Sequence, residues 1–378
     1  MIHLIYKSYL LLILFPIMSY AGLPTGEDGD FSKNYHKEYD VPKDATVEII
    51  NKYGYVKVHA WDKRICSMDV NILANTTSKE KADDIFARIS INFTNTANYI
   101  KAETVIDDSK SKNWFDWKSI FNWGNNNSSY KINYDVYIPT DLYLKLSNKY
   151  GDSFVDRMDR DVTLTIKYGN IRLDDVNGNA DLDLAYGDGT FSSIRDGKLK
   201  LRYSKLKMNN MNNGNLDFKY SDIKMKSGGN IRSESAYGEL NAENINSLDL
   251  NSKYDDIILR NVGELYANSG YTDYDINRLG KKSSFTVTYG DIIIRDIDPE
   301  FKSADIKSSY TDVRISVHGA PFRLDASGSY SDIKYPSDFN STYQVEKSSS
   351  KSVKGYSKGE NEGGMIRASM SYGGLRID

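Results

Sequence analysis

From residue 143 onward, apolar and polar positions alternate in runs too short for a helix and too regular for a loop. In residues 164–178, LTIKYGNIRLDDVNG, Leu164, Ile166 and Tyr168 alternate with Thr165 and Lys167 and so share one face of a strand. Gly169-Asn170 breaks the run, and Ile171 and Leu173 resume with opposite parity. Asp174-Asp175 breaks it again before Val176, and Asn177-Gly178 turns the chain once more. One such unit is two or three very short strands with a single apolar side. It buries too little to stand alone, so it must stack on copies of itself.

The copies are present. A tyrosine followed by a small residue recurs at Tyr150, Tyr168, Tyr186, Tyr203, Tyr220, Tyr237, Tyr254, Tyr271, Tyr289, Tyr310, Tyr330 and Tyr372. The steps are 17 or 18 residues as far as Tyr289, then 21, 20 and 42. A fixed period of this size predicts a single-stranded parallel β-helix, an all-β solenoid of about 12 short coils, on the order of 55 Å long. Helical repeats need about 33 residues and a 3.6-residue stripe, and the leucine-rich consensus is missing. The vocabulary of Tyr, Ile, Val, Thr, Asn, Gly and Asp is that of strands and turns.

Three columns follow from this alignment. The tyrosines share the parity of the inward residues, which predicts a stacked structural ladder on the inner face; the alternative is an exposed aromatic platform for sugars. The next residue is Gly, Ser, Thr or Asp; Ser and Thr are poor at positive φ, so the corner asks for small size rather than a left-handed residue there. The position after that is acidic at Asp152, Asp188, Asp222, Glu239, Asp256, Asp273, Asp291, Asp312 and Asp332, with Asn170, Lys205 and Gly374 as exceptions. Capping of corner N–H groups accounts for this column better than a calcium ladder, because the nine-residue glycine-rich calcium consensus is absent and Lys205 lies inside it. Lys149, Lys167, Arg202, Lys219 and Lys253 precede tyrosines and read as a solvated outer face. Asp174-Asp175 reads as a turn, since no base, nucleophile and oxyanion donor accompany it.

The remaining segments set the boundaries. Lys7, an apolar run over 9–18 and Ser19-Tyr20-Ala21 form a secretory signal peptide over 1–21, with no cysteine following it to carry a lipid. Residues 22–44 read as a polar, disordered leader, and 45–142 as a β-rich cap that includes the first coil and closes an otherwise open solenoid end. Within the cap, Thr77-Ser78-Lys79-Glu80 reads as a capping box opening one helix to about Ile89. Strands are expected at 68–72, 89–93, 99–105 and 131–138. Residues 336–364, rich in Ser, Lys, Gly and Glu, read as a mobile loop between the last two coils.

Composition narrows the chemistry. The single cysteine, Cys66, excludes a disulfide framework, the four histidines are scattered, and no metal site or cofactor is expected. A net charge of −3 over 378 residues leaves no basic footprint for nucleic acid, and no later segment is apolar enough to span a membrane. The one segment with contact chemistry is 109–130, where Trp114, Trp117 and Trp123 stand among Asn, Ser and Lys. These three tryptophans are the candidate binding residues, for a cell-surface glycan or envelope protein. Folding back onto the cap as a plug is the competing reading.

VEIINKYGYVKVHAWD near the start, YDVYIPTDLYLKLSNKYGD before the repeats and the Tyr-Gly/Ser-Asp-Ile coils together resemble the DUF4097 adhesin-like solenoids of Bacteroidetes. That resemblance covers about 45–378. It implies a right-handed β-helix exported to the periplasm, the outer surface or the medium, and it transfers no catalytic or binding residue. A non-enzymatic adhesin-like or structural module is therefore expected. The alternative is a β-helix polysaccharide lyase or hydrolase, which would need longer coils and clustered acids and bases on one face.

Overall fold

The computed structural model describes residues 29–107 and 129–378. It is an all-β parallel solenoid with a β-rich N-terminal region and one helix among the described residues. No described helix is long and apolar enough to cross a membrane.

The N-terminal region contains β1 (Gly29–Asp40), β2 (Thr46–Lys52), β3 (Val56–Trp61), β4 (Ile65–Thr76), α1 (Lys79–Arg88), β5 (Ile89–Thr96), β6 (Tyr99–Ile106) and β7 (Ser129–Pro139). Strands β2 and β3 are the first coil. β2 lies parallel between β6 and the next strand, β8 (Tyr143–Lys149), and β3 lies parallel between β7 and β9 (Ser153–Val155). Beyond this coil the sheets turn antiparallel: β5 covers the edge of β6, while β4 and then β1 extend β7. The region thus ends the parallel stack by switching it to hairpin pairing, which needs no further coil above it.

Two expectations for this region change. Residues 29–40 are strand β1, not a disordered leader; Tyr35 and Tyr39 pack against the core, and Lys33 and Lys37 keep the outer edge charged. The composition is polar because an edge strand needs few apolar contacts. The helix is present, but its N-cap is Ser78 rather than Thr77, with Ser78 Oγ accepting from the Lys81 N–H at 3.4 Å. The signal peptide, 1–21, lies outside the described residues.

The solenoid proper runs through β10 (Val162–Lys167), β11 (Ile171–Leu173), β12 (Val176–Ala185), β13 (Asp188–Arg202), β14 (Lys205–Lys219), β15 (Asp222–Ala236), β16 (Glu239–Lys253), β17 (Asp256–Gly270), β18 (Asp273–Ile294) and β19 (Ser303–Ile315). From β13 on, each strand wraps most of a coil, pairing in register with the residue 17 positions later through β17. The core residues of one coil, Leu206, Met208, Met211, Leu216 and Phe218, point into a shared interior with their counterparts above and below. Continuous burial of this kind is what makes the coils mutually stabilising.

After β19 the spatial order departs from the sequence order. The chain continues through β20 (Phe322–Ser329), β21 (Asp332–Lys334), β22 (Asn340–Lys347), β23 (Ser350–Tyr356), β24 (Gly364–Ser371) and β25 (Gly374–Ile377). The last coil in sequence, β24–β25, pairs parallel with β19 on one side and with β20–β21 on the other. Residues 336–364 are therefore not a loop between two successive coils. They include the hairpin β22–β23, in which β23 runs antiparallel to β20 and covers the far edge of that sheet. Alternation in this stretch is hidden because β22 is exposed almost throughout and needs no apolar face.

Candidate aromatic ladder and groove

Every corner tyrosine adopts a left-handed backbone, with φ between 51° and 63° at Tyr53, Tyr150 and the eleven that follow. For a residue with a Cβ this conformation costs roughly 1–2 kcal/mol. It also reverses the side chain, so the parity inherited from Leu164 and Ile166 no longer applies at Tyr168. The ladder therefore stands on the outer face, correcting the inward placement that alternation predicts. Tyr53 is half-buried, and from Tyr150 onward exposure runs from 37% at Tyr150 to 64% at Tyr330.

The rings still stack. Centroids of successive coils are 4.7–5.2 Å apart and the planes lie within 16° of parallel from Tyr53 through Tyr310 to Tyr372 and Tyr330. At the N-terminal end Tyr130 closes the stack edge-on, 5.6 Å from Tyr53. Because neighbours cover both faces of every ring between Tyr150 and Tyr372, the row offers ring edges and phenol hydroxyls to solvent, at nearly the strand spacing. From Tyr168 to Tyr310 those hydroxyls have no hydrogen-bond partner among the described residues.

The backbone of the corner explains the small residue. From Tyr53 to Tyr271 each tyrosine N–H donates to the carbonyl just before the next tyrosine of the ladder, as Tyr168 does to Ala185 at 2.9 Å and Tyr186 to Arg202 at 3.0 Å, whereas Tyr330 donates to Ser349. The residue after it turns inward. Ser204, Ser221, Thr272 and Thr311 are buried, and the Ser204, Ser221 and Thr311 hydroxyls donate back to the Arg202, Lys219 and Ser309 carbonyls at 2.8, 2.8 and 3.0 Å. Asp255 is buried too, accepting from the Gly238 N–H and from the Ser235 and Ser252 hydroxyls. Where glycine stands, coils meet more closely: a Cβ on Gly169 would lie 2.0 Å from the Gly151 carbonyl oxygen.

The acidic column caps corners, but only where glycine or an irregular coil leaves an N–H free. Asp152 Oδ1 accepts from the Asn170 N–H at 2.8 Å, Asp273 from Asp291 at 2.8 Å and Asp312 from Gly374 at 2.7 Å. Asn170, outside the acidic pattern, does the same for Asp188 at 2.9 Å. At Asp222 and Asp256 the equivalent N–H reaches a backbone carbonyl instead, and Asp222 lies 3.5 Å from Lys205. Burial first, then the neighbouring Asp273 and Asp312 carboxylates, raise the Asp291 pKa above its ordinary value. No group of residues able to hold a metal ion occurs among the described residues.

At its N-terminal end the ladder borders an open groove of about 960 Å³. Tyr53, Tyr150, Tyr168 and Tyr186 form one wall, Gly54, Gly151 and Gly169 leave bare backbone as the floor, and Tyr55, Lys57, Asp152, Phe154 and Asn170 line the other side. The floor is held from beneath by buried asparagines. Asn148 Nδ2 donates to the Gly54 and Gly151 carbonyls at 3.1 and 3.0 Å, and Asn51 Nδ2 to the Ile132 carbonyl at 2.9 Å. Sequence reasoning missed both; the signal was the duplicated Asn-Lys-Tyr-Gly of residues 51–54 and 148–151. Tyr55 is fixed by a hydrogen bond from its hydroxyl to Asp135 Oδ2 at 2.9 Å. Burial and that carboxylate push its pKa up to about 12, so it stays a neutral donor. The Lys57 ammonium lies 4.4 Å from the Tyr55 ring centre, and Phe154 is exposed.

Trp114, Trp117 and Trp123 lie outside the described residues. The chain returns from their segment at Ser129, Tyr130 and Lys131, which close one end of the groove. Asp174-Asp175 lies between β11 and β12, the Asp174 N–H donating to the Val155 carbonyl of the preceding coil at 2.9 Å. His59 stands 3.6 Å from Asp156 and 3.9 Å from Asp135 against the Tyr137 ring, with no hydroxyl or thiol bonded to it among the described residues.

No protein-family model and no curated protein matches the chain. Among solved structures it is similar to a "putative cell adhesion protein" from Clostridium sporogenes, at 10% identity over 92% of this chain and 99% of that one, with a TM-score of 0.20. A "putative adhesin" from Bacteroides fragilis matches at 15% identity over 69% and 97%, TM-score 0.31. A "putative lipid binding protein" from Parabacteroides distasonis matches at 11% identity over 67% and 97%, TM-score 0.32. Likenesses of this depth carry no functional argument.

Proposed function

We propose that this protein is an exported, non-enzymatic, adhesin-like solenoid of the bacterial envelope, of the DUF4097-like type, and that its groove holds an extended cell-surface glycan. The observation that carries the reading is the convergence, on a floor without side chains, of aromatic edges, neutral phenols, one ammonium and amide and carboxylate acceptors. Such a surface suits a chain of linked sugars, which offers hydroxyls to Asp152 and Asn170 and C–H faces to Phe154. The ladder continues the same wall coil after coil, at a spacing close to the sugar repeat of an extended β-linked glycan. Among the described residues the groove is open, which suits holding a polymer better than sequestering a reaction from water.

Glycan arrays and pull-downs on whole cells and peptidoglycan test this, with cell fractionation for location. Phe154→Ser should weaken binding while leaving the melting temperature nearly unchanged, because the ring is exposed. Changing Trp114, Trp117 and Trp123 together to Ser tests the second contact surface. If those rings bind, attachment falls without loss of stability; if they plug the cap, stability falls by about 3–5 kcal/mol per buried ring. Full binding by both variants would refute the reading.

A further inference from the structure

Every left-handed corner of the ladder carries a phenol, from Tyr53 to Tyr330 and Tyr372. Glycine or asparagine would take the same backbone with less strain, and phenylalanine would stack as well. Solvation favours a hydroxyl on any exposed ring. What is particular here is that each phenol is held against the face of another phenol. We propose that the ladder is a site of oxidative modification. A one-electron oxidant, a haem peroxidase using hydrogen peroxide, joins phenols of neighbouring coils through their ortho carbons into dityrosine.

The geometry favours this product. Planes of successive rings lie within 16° of parallel at 4.7–5.2 Å, so like carbons of neighbouring rings are about one ring spacing apart. A radical formed on one rung already has its partner beside it and needs no encounter by diffusion. Closing the remaining gap takes a swing of two rings about their side-chain bonds, which their exposure permits. The edges that carry the ortho carbons face solvent, and from Tyr168 to Tyr310 the hydroxyls have no partner among the described residues. Off the ladder such pairing is absent among the described residues. Tyr274 meets Phe285, Tyr335 meets Phe339, and Tyr343, 50% exposed, meets no other ring.

The peroxidase withdraws one electron from each of two adjacent rings while each O–H gives its proton to water, leaving two phenoxyl radicals. Their ortho carbons form a C–C bond. Each ortho hydrogen then moves through water to its phenol oxygen, which restores both hydroxyls and both aromatic rings. The two electrons and two protons reduce one hydrogen peroxide to two waters. Along the regular stack the new bond ties each corner to the one 17 or 18 residues on, closing a loop that the unfolded chain would otherwise leave open.

The final coils supply the sharpest test, because spatial and sequence order differ there. Tyr310 stacks on Tyr372 and Tyr372 on Tyr330, so Tyr372 separates the two that are nearer in sequence. The full chain, native and dilute, is treated with a haem peroxidase and hydrogen peroxide, and linked peptides are mapped by mass spectrometry. Bonds should join Tyr310 to Tyr372, Tyr330 to Tyr372 and successive rungs from Tyr150 to Tyr310, with Tyr343 unlinked. Changing Tyr186, Tyr220, Tyr254 and Tyr289 together to Phe keeps the stack but leaves no adjacent phenols between Tyr168 and Tyr310. Eight of the twelve stacked pairs then lack a phenol, so dityrosine fluorescence should fall to about a third. The Tyr150–Tyr168 and Tyr310–Tyr372 links should persist in that variant. Links to Tyr343, or between Tyr310 and Tyr330, as frequent as those between stacked rungs overturn the proposal. So do links chiefly between molecules, undiminished fluorescence in the Phe variant, or no dityrosine at all. Should the fourfold variant not fold, the wild-type map decides alone.

Discussion

At Tyr220 the ladder makes two separable demands, and paired substitutions read them apart. The ring stacks on Tyr203 and Tyr237 at 4.9 Å each, is about half exposed, and stands on a backbone with φ of 51°. Tyr220→Ala removes both stacks but keeps a Cβ in the left-handed region. Two aromatic pairs at about 0.5–1.5 kcal/mol each set a loss of roughly 1–3 kcal/mol. Tyr220→Gly removes the same stacks and also relieves the left-handed strain, recovering roughly 1 kcal/mol against Ala despite the entropy of glycine. Two positions earlier, Phe218 is fully buried on an ordinary strand, and Phe218→Ala should cost about 3–5 kcal/mol. Urea midpoints of the variants give the order directly, provided the transition stays cooperative. If the glycine variant is less stable than the alanine one, the corner is not left-handed. If Tyr220→Ala costs as much as Phe218→Ala, the ring is not on the surface.

Other outcomes follow from single contacts. Asp312→Ala should cost roughly 0.5–2 kcal/mol through the lost cap on the Gly374 N–H, whereas Asp222→Ala, whose corner bonds are backbone, should cost less than about 0.5 kcal/mol by the same melts. Added calcium should not move the melting temperature, and a clear rise would mean the acidic column binds metal. Burial pushes the Cys66 thiol up to about 12, so iodoacetamide at pH 8 should label only denatured protein; labelling of the native fold would contradict its burial. Tyr55 and Tyr99 are raised from 10.0 to about 12, and the buried Tyr134 and Tyr274 higher still. The folded state therefore holds these protons more tightly than the unfolded chain. Their stabilisation is complete below pH 10 and is lost as pH rises through 12. Alkaline unfolding followed by circular dichroism should begin above pH 10, and constant stability from pH 9 to 12 would refute the assignment.

The solenoid was legible because its determinants are local and repeated. Ile171, Leu173 and Val176 announce strands and corners within a dozen residues, and the 17-residue step then forces stacking. The ladder's position was not legible from the same pattern. Alternation assumes an unbroken β backbone, and one residue at positive φ inverts everything projected through it. The varied small residues after each tyrosine drew attention to the wrong member of the pair: Ser221 and Thr272 adapt to the inside of the corner, while the tyrosine itself carries the unusual dihedral. The groove was half legible, its repeated Asn-Lys-Tyr-Gly being visible but its meaning dependent on which coil lies above which.

What alternation could not convey at all is the order of the final coils. Tyr310, Tyr330 and Tyr372 occupy equivalent corners, so the sequence is equally compatible with stacking them in chain order. The spatial order is Tyr310, then Tyr372, then Tyr330, and no pattern along any one strand specifies it. Met370 lies between Ser308 and Gly328, and chain order would set those two small residues in register, as Ser235 and Ser252 are in the regular stack. A repeat protein fixes its interior by similarity between coils. Its ends have to be specified by differences, and here one such difference is the antiparallel hairpin β22–β23, which covers the far edge of β20.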